Sequence, residues 1–411
     1  MKRDNIIIIS IPILAGIILM SINSADINLF QSQKIITESA NESGNDGDQD
    51  QKKQTSENSE IESAYQNYEK IHETAVSEFK NKIETQWGEF STSTNTEWVS
   101  YKDNGKVRRI VDYKTGNVSV ELLEQYPIPD RQYIKRKMEK EVYQLLNATE
   151  EDAFKDNEVA QTVEKKLPSN FRLVQRGFPS KKRIFSFDDL VSVTFNYTGY
   201  VKVSNKSKSF VTNDEREGKV VGTHIIRSSF TLDKSVLQKA KRYASAVKKS
   251  SRNQRIPKAL IYAIIEAESS FNPMAKSHIP AYGLMQIVPR SAGKDATKHL
   301  YGKAKILAPS YLYSTDNNIK VGAAYLHVLY YKYLSKVKDP QSRIFCAIAA
   351  YNTVASNVAK AFIDRKHFSK AVKKINTMTS DEVYDALVNH LPYKETRNYV
   401  AKVSSKMHKY L

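Results

Sequence analysis

Apolar residues recur along this chain in distinct rhythms, and each rhythm predicts a kind of element. Between Ile61 and Trp87, Tyr65, Tyr68, Ile71, Ala75, Phe79 and Ile83 fall three or four apart, the spacing of one helix face. From Glu97 to Tyr113 and from Asn117 to Leu122 the pattern alternates instead, with turn signals at Asn104-Gly105 and Thr115-Gly116, so strands are expected there. A helix over about 131–146 follows, then strands near Leu190–Val203 and Val220–Leu232. Together these segments predict an α+β domain over residues 61–232. A basic helix over Ser235–Ser250 leads out of it. Beyond, helical periods at Ile319–Leu334, Arg343–Ala350, Ala355–Phe362 and Ser380–Leu387 predict an all-α domain over 233–411.

The ends of the pattern differ from its middle. Residues 1–25 open with Lys2 and Arg3, run apolar from Ile6 to Met20 and turn polar at Ser21, the order of an export signal. The apolar core is long for a signal peptide and short for a spanning helix, so cleaved signal and retained anchor both stand. Residues 26–60 are rich in Ser, Asn, Gln, Asp and Glu and read as a flexible polar linker.

One helical stripe ends in a charged group. After Pro257, the residues Ile261, Ile264, Ile265 and Glu268 stand in the i, i+3, i+4, i+7 relation, so Glu268 shares the apolar face. Glu266 is expected on the opposite, solvated face. A carboxyl at the end of an apolar stripe is desolvated, which raises its pKa towards that of a general acid at neutral pH. On spacing alone, a helix-terminal Glu satisfied by local hydrogen bonds is the commoner reading.

The neighbouring motifs shift that balance. ESSFNP around Glu268 and Ser269, GLMQ at Gly283–Gln286, AYN at Ala350–Asn352 and PYKETRNYV at Pro392–Val400 occur in this order. Together they resemble the soluble lytic transglycosylase, goose-lysozyme-like catalytic domain. INTMTSDEVY near the C-terminus and WVSYKDNGKVRRIVDYKTG further upstream resemble the membrane-bound lytic murein transglycosylase C subgroup.

The resemblance implies a lysozyme-like catalytic domain that cleaves the β-1,4 bond between N-acetylmuramic acid and N-acetylglucosamine in peptidoglycan. Glu268 would be the single acid and base, and the product a 1,6-anhydromuramoyl end. It further implies substrate roles for Ser277, Gly283, Met285, Gln286, Tyr351, Asn352, Glu395 and Tyr399. Ser277 would bind sugar near Glu268, Met285 and Gln286 would line the cleft, and Tyr351 would support Glu268 by its hydroxyl. Asn352 would hold its loop, while Glu395 and Tyr399 would complete the cleft wall. The chain departs from the family after AYN, where Thr353, Val354 and Ala355 stand in place of glycines and are expected to narrow the cleft. It departs again in lacking the lipidated cysteine that usually follows the signal of this subgroup. A periplasmic location is expected, with any membrane attachment through the N-terminal segment.

Composition narrows the alternatives. The net charge of +18, from 63 basic and 45 acidic residues, suits a polyanion or an anionic surface. No common nucleic-acid signature accompanies it, so nucleic acid is set aside, and peptidoglycan glycan strands and anionic lipid suit the charge equally. The single cysteine, Cys346, excludes an internal disulfide framework and reads as a small buried side chain. The eight histidines lack HExxH-type spacing, so neither metal nor cofactor is expected. Ser269 and His278 lack the surroundings of a nucleophile elbow. Tyr197, Tyr200, Lys202 and Lys206 are candidate glycan contacts, though solvated strand faces explain such residues as well. Two further readings remain: a hydrolytic lysozyme on the same fold, and a non-catalytic wall-binding scaffold.

Overall fold

The computed structural model describes residues 48–125, 129–170, 172–185, 196–203, 223–232, 236–363 and 367–411. The expected export segment and most of the expected linker, together with Leu190–Phe195 and Lys206, lie outside these residues. So do the side chains of Tyr197, Tyr200 and Lys202. Residues Asn45–Leu411 form one compact unit.

The first helix among the described residues, α1 (Asp48–Trp87), starts well before Ile61, so the last part of the expected linker is helical. Most of its stripe is buried: Tyr65, Tyr68, Ala75 and Ile83 have almost no exposed surface, while Ile71 and Phe79 are half-buried. Strands β1 (Glu97–Lys102), β2 (Val107–Asp112) and β3 (Asn117–Gln125) follow as antiparallel neighbours. The Asn104 and Gly116 turns both use positive φ, 54° and 78°, as the turn signals require. Helix α2 (Arg131–Leu146) has the expected bounds because the Asp130 side chain accepts from the first-turn N–H groups of Gln132 and Tyr133.

Two short helices, α3 (Glu150–Lys155) and α4 (Glu158–Lys166), were not expected. Each is opened by a side-chain cap, Thr149 with a full capping box and Asn157. After β4 (Val174–Gln175) come β5 (Asn196–Val203) and β6 (Thr223–Thr231), which complete an antiparallel sheet of order β1-β2-β3-β6-β5. Within it, fully buried Glu121 is paired with Arg108 and Arg227, so its charge is neutralised structurally.

The expected linking helix is two helices, α5 (Val236–Lys241) and α6 (Ala244–Gln254). The break falls at Tyr243, whose ring is buried and stacks on Phe271 at 6.1 Å. Next come α7 (Lys258–Ser269), α8 (Lys294–Tyr301), β7 (Ile306–Leu307), α9 (Pro309–Leu312) and α10 (Thr315–His327). A wide π turn extends α10 through Tyr333. The chain closes with α11 (Pro340–Asn352), α12 (Ala355–Val358), α13 (Phe368–Ile375), α14 (Ser380–His390) and α15 (Lys394–Met407). The class is α+β, an antiparallel sheet with flanking helices followed by a helical region.

The two regions share one core. A single apolar cluster runs from Ile61 and Tyr65 through Leu122 and Val142 to Ile264, Ile348 and Val403. Strand β4 pairs in parallel with β7, and the Tyr65 hydroxyl donates to the Lys305 carbonyl at 3.0 Å. The helical region therefore buries part of its surface against residues up to Gln175.

Candidate active site

The site begins with helix α7, which is buried nearly all round. Ile261, Ile264 and Ile265 are fully buried, as the stripe requires. Glu266, expected in solvent, is only 6% exposed. It is an ion-pair centre that accepts from Lys406, from Lys409 at 3.1 Å and from the Tyr410 hydroxyl at 2.9 Å. The expectation fails because α15 packs along the face of α7 that a two-sided pattern assigns to water. Its lysines supply the charge that a buried carboxylate needs.

Glu268 stands in the last turn of α7 and keeps partial access to solvent. Burial by surrounding protein pushes its carboxyl up to about 7, against the opposing pull of the Tyr399 hydroxyl and the Lys402 ammonium. The Tyr399 hydroxyl donates to Glu268 Oε1 at 2.7 Å. Lys402, one turn further along α15, donates to the Ala267 carbonyl at 2.6 Å and so places a cation beside the carboxyl. Lys402 had not been singled out in the sequence. The signal was its i+3 relation to Tyr399 on one helix face.

The backbone leaves α7 sharply. Ser270 and Phe271 both have positive φ, 51° and 66°, and for a buried aromatic this is a strained conformation held by its surroundings. Ser269 anchors the exit: its buried hydroxyl lies 3.0 Å from the Ile265 carbonyl and 2.9 Å from that of Leu284. A serine so engaged is no nucleophile, whatever His278 does.

The GLMQ motif forms a hairpin in which Tyr282 and Ile287 exchange backbone hydrogen bonds of 3.1 and 3.0 Å. Gly283 has φ +72°, and a Cβ there would lie 2.5 Å from Asn318 Nδ2. Glycine is therefore required by packing against α10. Asn318 itself is fully buried and bonds the hairpin from both ends of its amide. Its Nδ2 donates to the Tyr282 carbonyl at 2.8 Å, and its Oδ1 accepts from Met285 N–H at 2.9 Å. Asn318 was also missed in the sequence, since a buried Asn inside an apolar helix carries no spacing signal.

The other expected site residues differ in burial. Met285 is completely buried, its thioether set against Gly322, so it fills the core beneath the hairpin instead of lining a cleft. Gln286 remains partly exposed at φ +47°, with its amide donating to the Gly283 carbonyl at 3.0 Å. Ser277 is partly exposed and fixed through its backbone N–H to the Ala281 carbonyl at 3.3 Å.

Tyr351 lies close enough to Glu268 for that charge, after burial, to hold its phenol well above the usual range. Its hydroxyl nevertheless donates to the Met285 carbonyl at 2.8 Å. The hydroxyl support expected from Tyr351 comes instead from Tyr399. Glu395 is exposed, and its charge adds to the upward push on Glu268.

Asn352 does not hold its loop through Oδ1, which is buried without a partner among the described residues. Asn357 Nδ2 does so, donating to Thr353 Oγ1 at 2.9 Å. Thr353 and Val354 are buried, so the residues that replace the glycines pack inward. Cys346 is buried, which pushes its thiol up to about 12 and leaves it inert. Among the described residues, no His, Cys, Asp and Glu side chains gather in a group able to hold a metal.

Two regions of the chain match known families. Residues 245–374 match the transglycosylase SLT domain, and residues 49–167 match the N-terminal domain of membrane-bound lytic murein transglycosylase C. Over these regions the chain is similar to membrane-bound lytic murein transglycosylase C. It is 41% identical over 176 residues to the protein of that name from Haemophilus ducreyi, covering 42% of this chain and 46% of that one. It is 40% identical over 173 residues to that from Klebsiella pneumoniae, covering 42% and 47%. The match thus spans about half the length of these relatives. The lytic transglycosylase Slt of Pseudomonas aeruginosa is 26% identical over 41% of this chain and 24% of its own, at a TM-score of 0.32. Among the described residues, no helix is long and apolar enough to cross a membrane.

Proposed function

We propose that this chain is a peptidoglycan lytic transglycosylase with Glu268 as its one acid and base. The observation that carries this reading is the state of Glu268. Burial pushes its carboxyl up to about 7, so both the acid and the carboxylate are accessible near neutrality, and Tyr399 and Lys402 stand ready for the charged form. Such a group can give a proton to the leaving oxygen and then, as carboxylate, take one.

The step balances without water. As the bond from the muramic C1 to the glycosidic oxygen breaks, Glu268 protonates that oxygen, which leaves as the N-acetylglucosamine hydroxyl. The C6 hydroxyl then attacks C1 and yields its proton to the Glu268 carboxylate, closing the 1,6-anhydro ring. Tyr399 holds the carboxyl through both transfers. Ser277 and Gln286, both partly exposed, are the groups in this arrangement suited to bind sugar. Tyr351 acts through the hairpin, fixing the Met285 carbonyl.

Hydrolysis on the same fold is the second reading, favoured by one observation. Glu395 is exposed and close enough for its charge to act on Glu268, as a second carboxylate would be. Mass spectrometry of products from purified sacculi separates the two. Anhydro ends support the transglycosylase; reducing ends, heavier by one water, support hydrolysis and overturn it.

The proposed site of action is the periplasm. Membrane attachment would run through Ile6–Ile22, because the one cysteine, Cys346, lies far downstream of that segment and is buried. A chain starting at about Asp26 behind a cleavable signal should leave the membrane fraction. If it stays there as fully as the full chain, this attachment is wrong.

A further inference from the structure

Helix α15 touches α7 at three levels, and they form one stripe. Tyr399 bonds the Glu268 carboxyl at 2.7 Å, and Lys402 bonds the Ala267 carbonyl at 2.6 Å. Lys406 then bonds Glu266, joined there by Lys409 and Tyr410 from the short turn that follows α15. Spacings of three and four put these residues along one face of a continuous helix. The rotation and axial position of that face decide whether the Tyr399 hydroxyl reaches Glu268.

Only one level of the three is an ion pair with its acid buried. Glu266 gathers two ammonium groups and a phenol, and burial, outweighed by these three hydrogen bonds, leaves its carboxyl below the usual range. Its neighbour two residues on is held above that range. The two carboxyl groups point to different faces of α7, one committed to charge and the other kept near neutrality.

We infer that Glu266 is a positioning residue for the reaction: by clamping Lys406, Lys409 and Tyr410 it sets α15 so that the Tyr399 hydroxyl meets Glu268. The inference rests on reading Glu268 as the acid, but the titration that tests it does not. The charged and polar groups facing Glu268 are Tyr399, Lys402 and Glu395 from α15 and Tyr351 from α11. Loosening α15 withdraws the hydroxyl that stabilises the carboxylate, so Glu268 should titrate higher. Removing the Glu266 charge with no movement does the opposite: it takes away a nearby negative charge and leaves Lys406 unneutralised, so Glu268 should titrate lower. The sign separates positioning from a direct field effect.

The experiment follows the Glu268 carboxyl by 13C NMR in the full chain labelled at glutamate Cδ, with Glu268→Gln used to assign the signal. Glu266→Gln should raise the Glu268 pKa, Tyr399→Phe should raise it, and the double variant should show no further rise. On sacculi, kcat should fall between about 10- and 100-fold with KM little changed, as misplacement of a catalytic partner predicts. Tyr410→Phe, which removes one of the three donors and leaves the ion pairs, should shift Glu268 in the same direction by less. It also keeps the test open if Glu266→Gln folds poorly. A Glu268 pKa that is unmoved or lowered in a folded Glu266 variant, or shifts that simply add in the double variant, would overturn the inference. If instead wild-type protein makes no anhydro product while the titrations behave as expected, the reaction has been misassigned and the positioning stands.

Discussion

The hairpin at 282–287 and the acid beside it are held from two sides that work differently. On one side α15 meets α7 with charges and hydroxyls, Tyr399, Lys402 and Lys406, each bonded to α7 within two residues of Glu268. On the other side α1 meets the hairpin with buried aromatic rings. The Tyr68 hydroxyl donates to that of Tyr282 at 2.8 Å, and His72 lies edge-on to the Tyr282 ring at 6.3 Å. Arg290 ties this end down by pairing with Glu62 and with Glu69 at 2.8 Å. The first side sets the protonation of an acid; the second sets the shape around it. Substitutions on the α15 side should therefore show first in pH dependence, and those on the α1 side in stability.

The largest effect tests the chemical side. Glu268→Gln should lower turnover by about 10²- to 10⁴-fold, the usual worth of general acid-base catalysis, with the fold retained by circular dichroism. Retention of more than about a tenth of the activity would remove Glu268 from the mechanism. The same variant should behave oppositely in stability. Glu268 has a folded pKa of about 7 against an unfolded value of 4.5. Its favourable contribution is complete below pH 4.5 and is lost as pH rises through 7. An amide cannot lose a proton, so above pH 7 the variant should melt at a higher temperature than the wild type. The activity of the wild type should fall over the same range, on the limb where its acid is used up.

The next two tests strike the shape. Gly283→Ala puts a side chain at φ +72° and a Cβ 2.5 Å from the Asn318 amide. Backbone strain of this kind costs about 1–3 kcal/mol before the clash is counted, and a denaturant melt should show at least that loss. Tyr68→Phe leaves the buried Tyr282 hydroxyl without its donor and should cost about 1–3 kcal/mol. The double variant with Tyr282→Phe, in which neither hydroxyl remains, should recover much of the loss. If Tyr68→Phe instead shifts the pH limb with no change in melting, the division between the two sides is wrong.

The same division explains what could be read from residue order alone. Helix α2, strands β1 to β3 and the Glu268 stripe were legible because their periods are local and their ends carry turn or cap residues. Glu266 was misread because periodicity shows which residues share a face but not how many faces are covered. The role expected of Tyr351 passed to Tyr399 because two tyrosines far apart in sequence reach the same carboxyl, and only packing decides which hydroxyl faces it. Met285, Asn318 and Lys402 were misplaced or missed for a related reason. Their partners belong to other helices, which no window of one segment includes. The contacts between α1 and the hairpin are of this kind as well, bridging more than 200 positions between Tyr68 and Tyr282.

The smallest effect should come from the exposed edge of the α15 side. Glu395 makes no hydrogen bond to Glu268 but raises its pKa through its negative charge. Glu395→Gln keeps the shape of the side chain and removes that charge, so the protonated form of Glu268 should be less favoured and the upper activity limb should move to lower pH. Because Glu395 is exposed, water and salt weaken the interaction. The shift should stay under about half a unit, equivalent to about 0.7 kcal/mol. It should shrink further as ionic strength rises from about 0.01 M to about 0.15 M, where the screening length falls from about 30 Å to about 8 Å. Tyr399→Phe provides the contrast. Its hydroxyl acts by direct hydrogen bonding in a buried position, so its shift should run to higher pH and should persist in salt. Should Glu395→Gln abolish turnover without moving the limb, Glu395 acts on substrate and not through the field at Glu268, and hydrolysis with two carboxylates becomes the better account of this cleft.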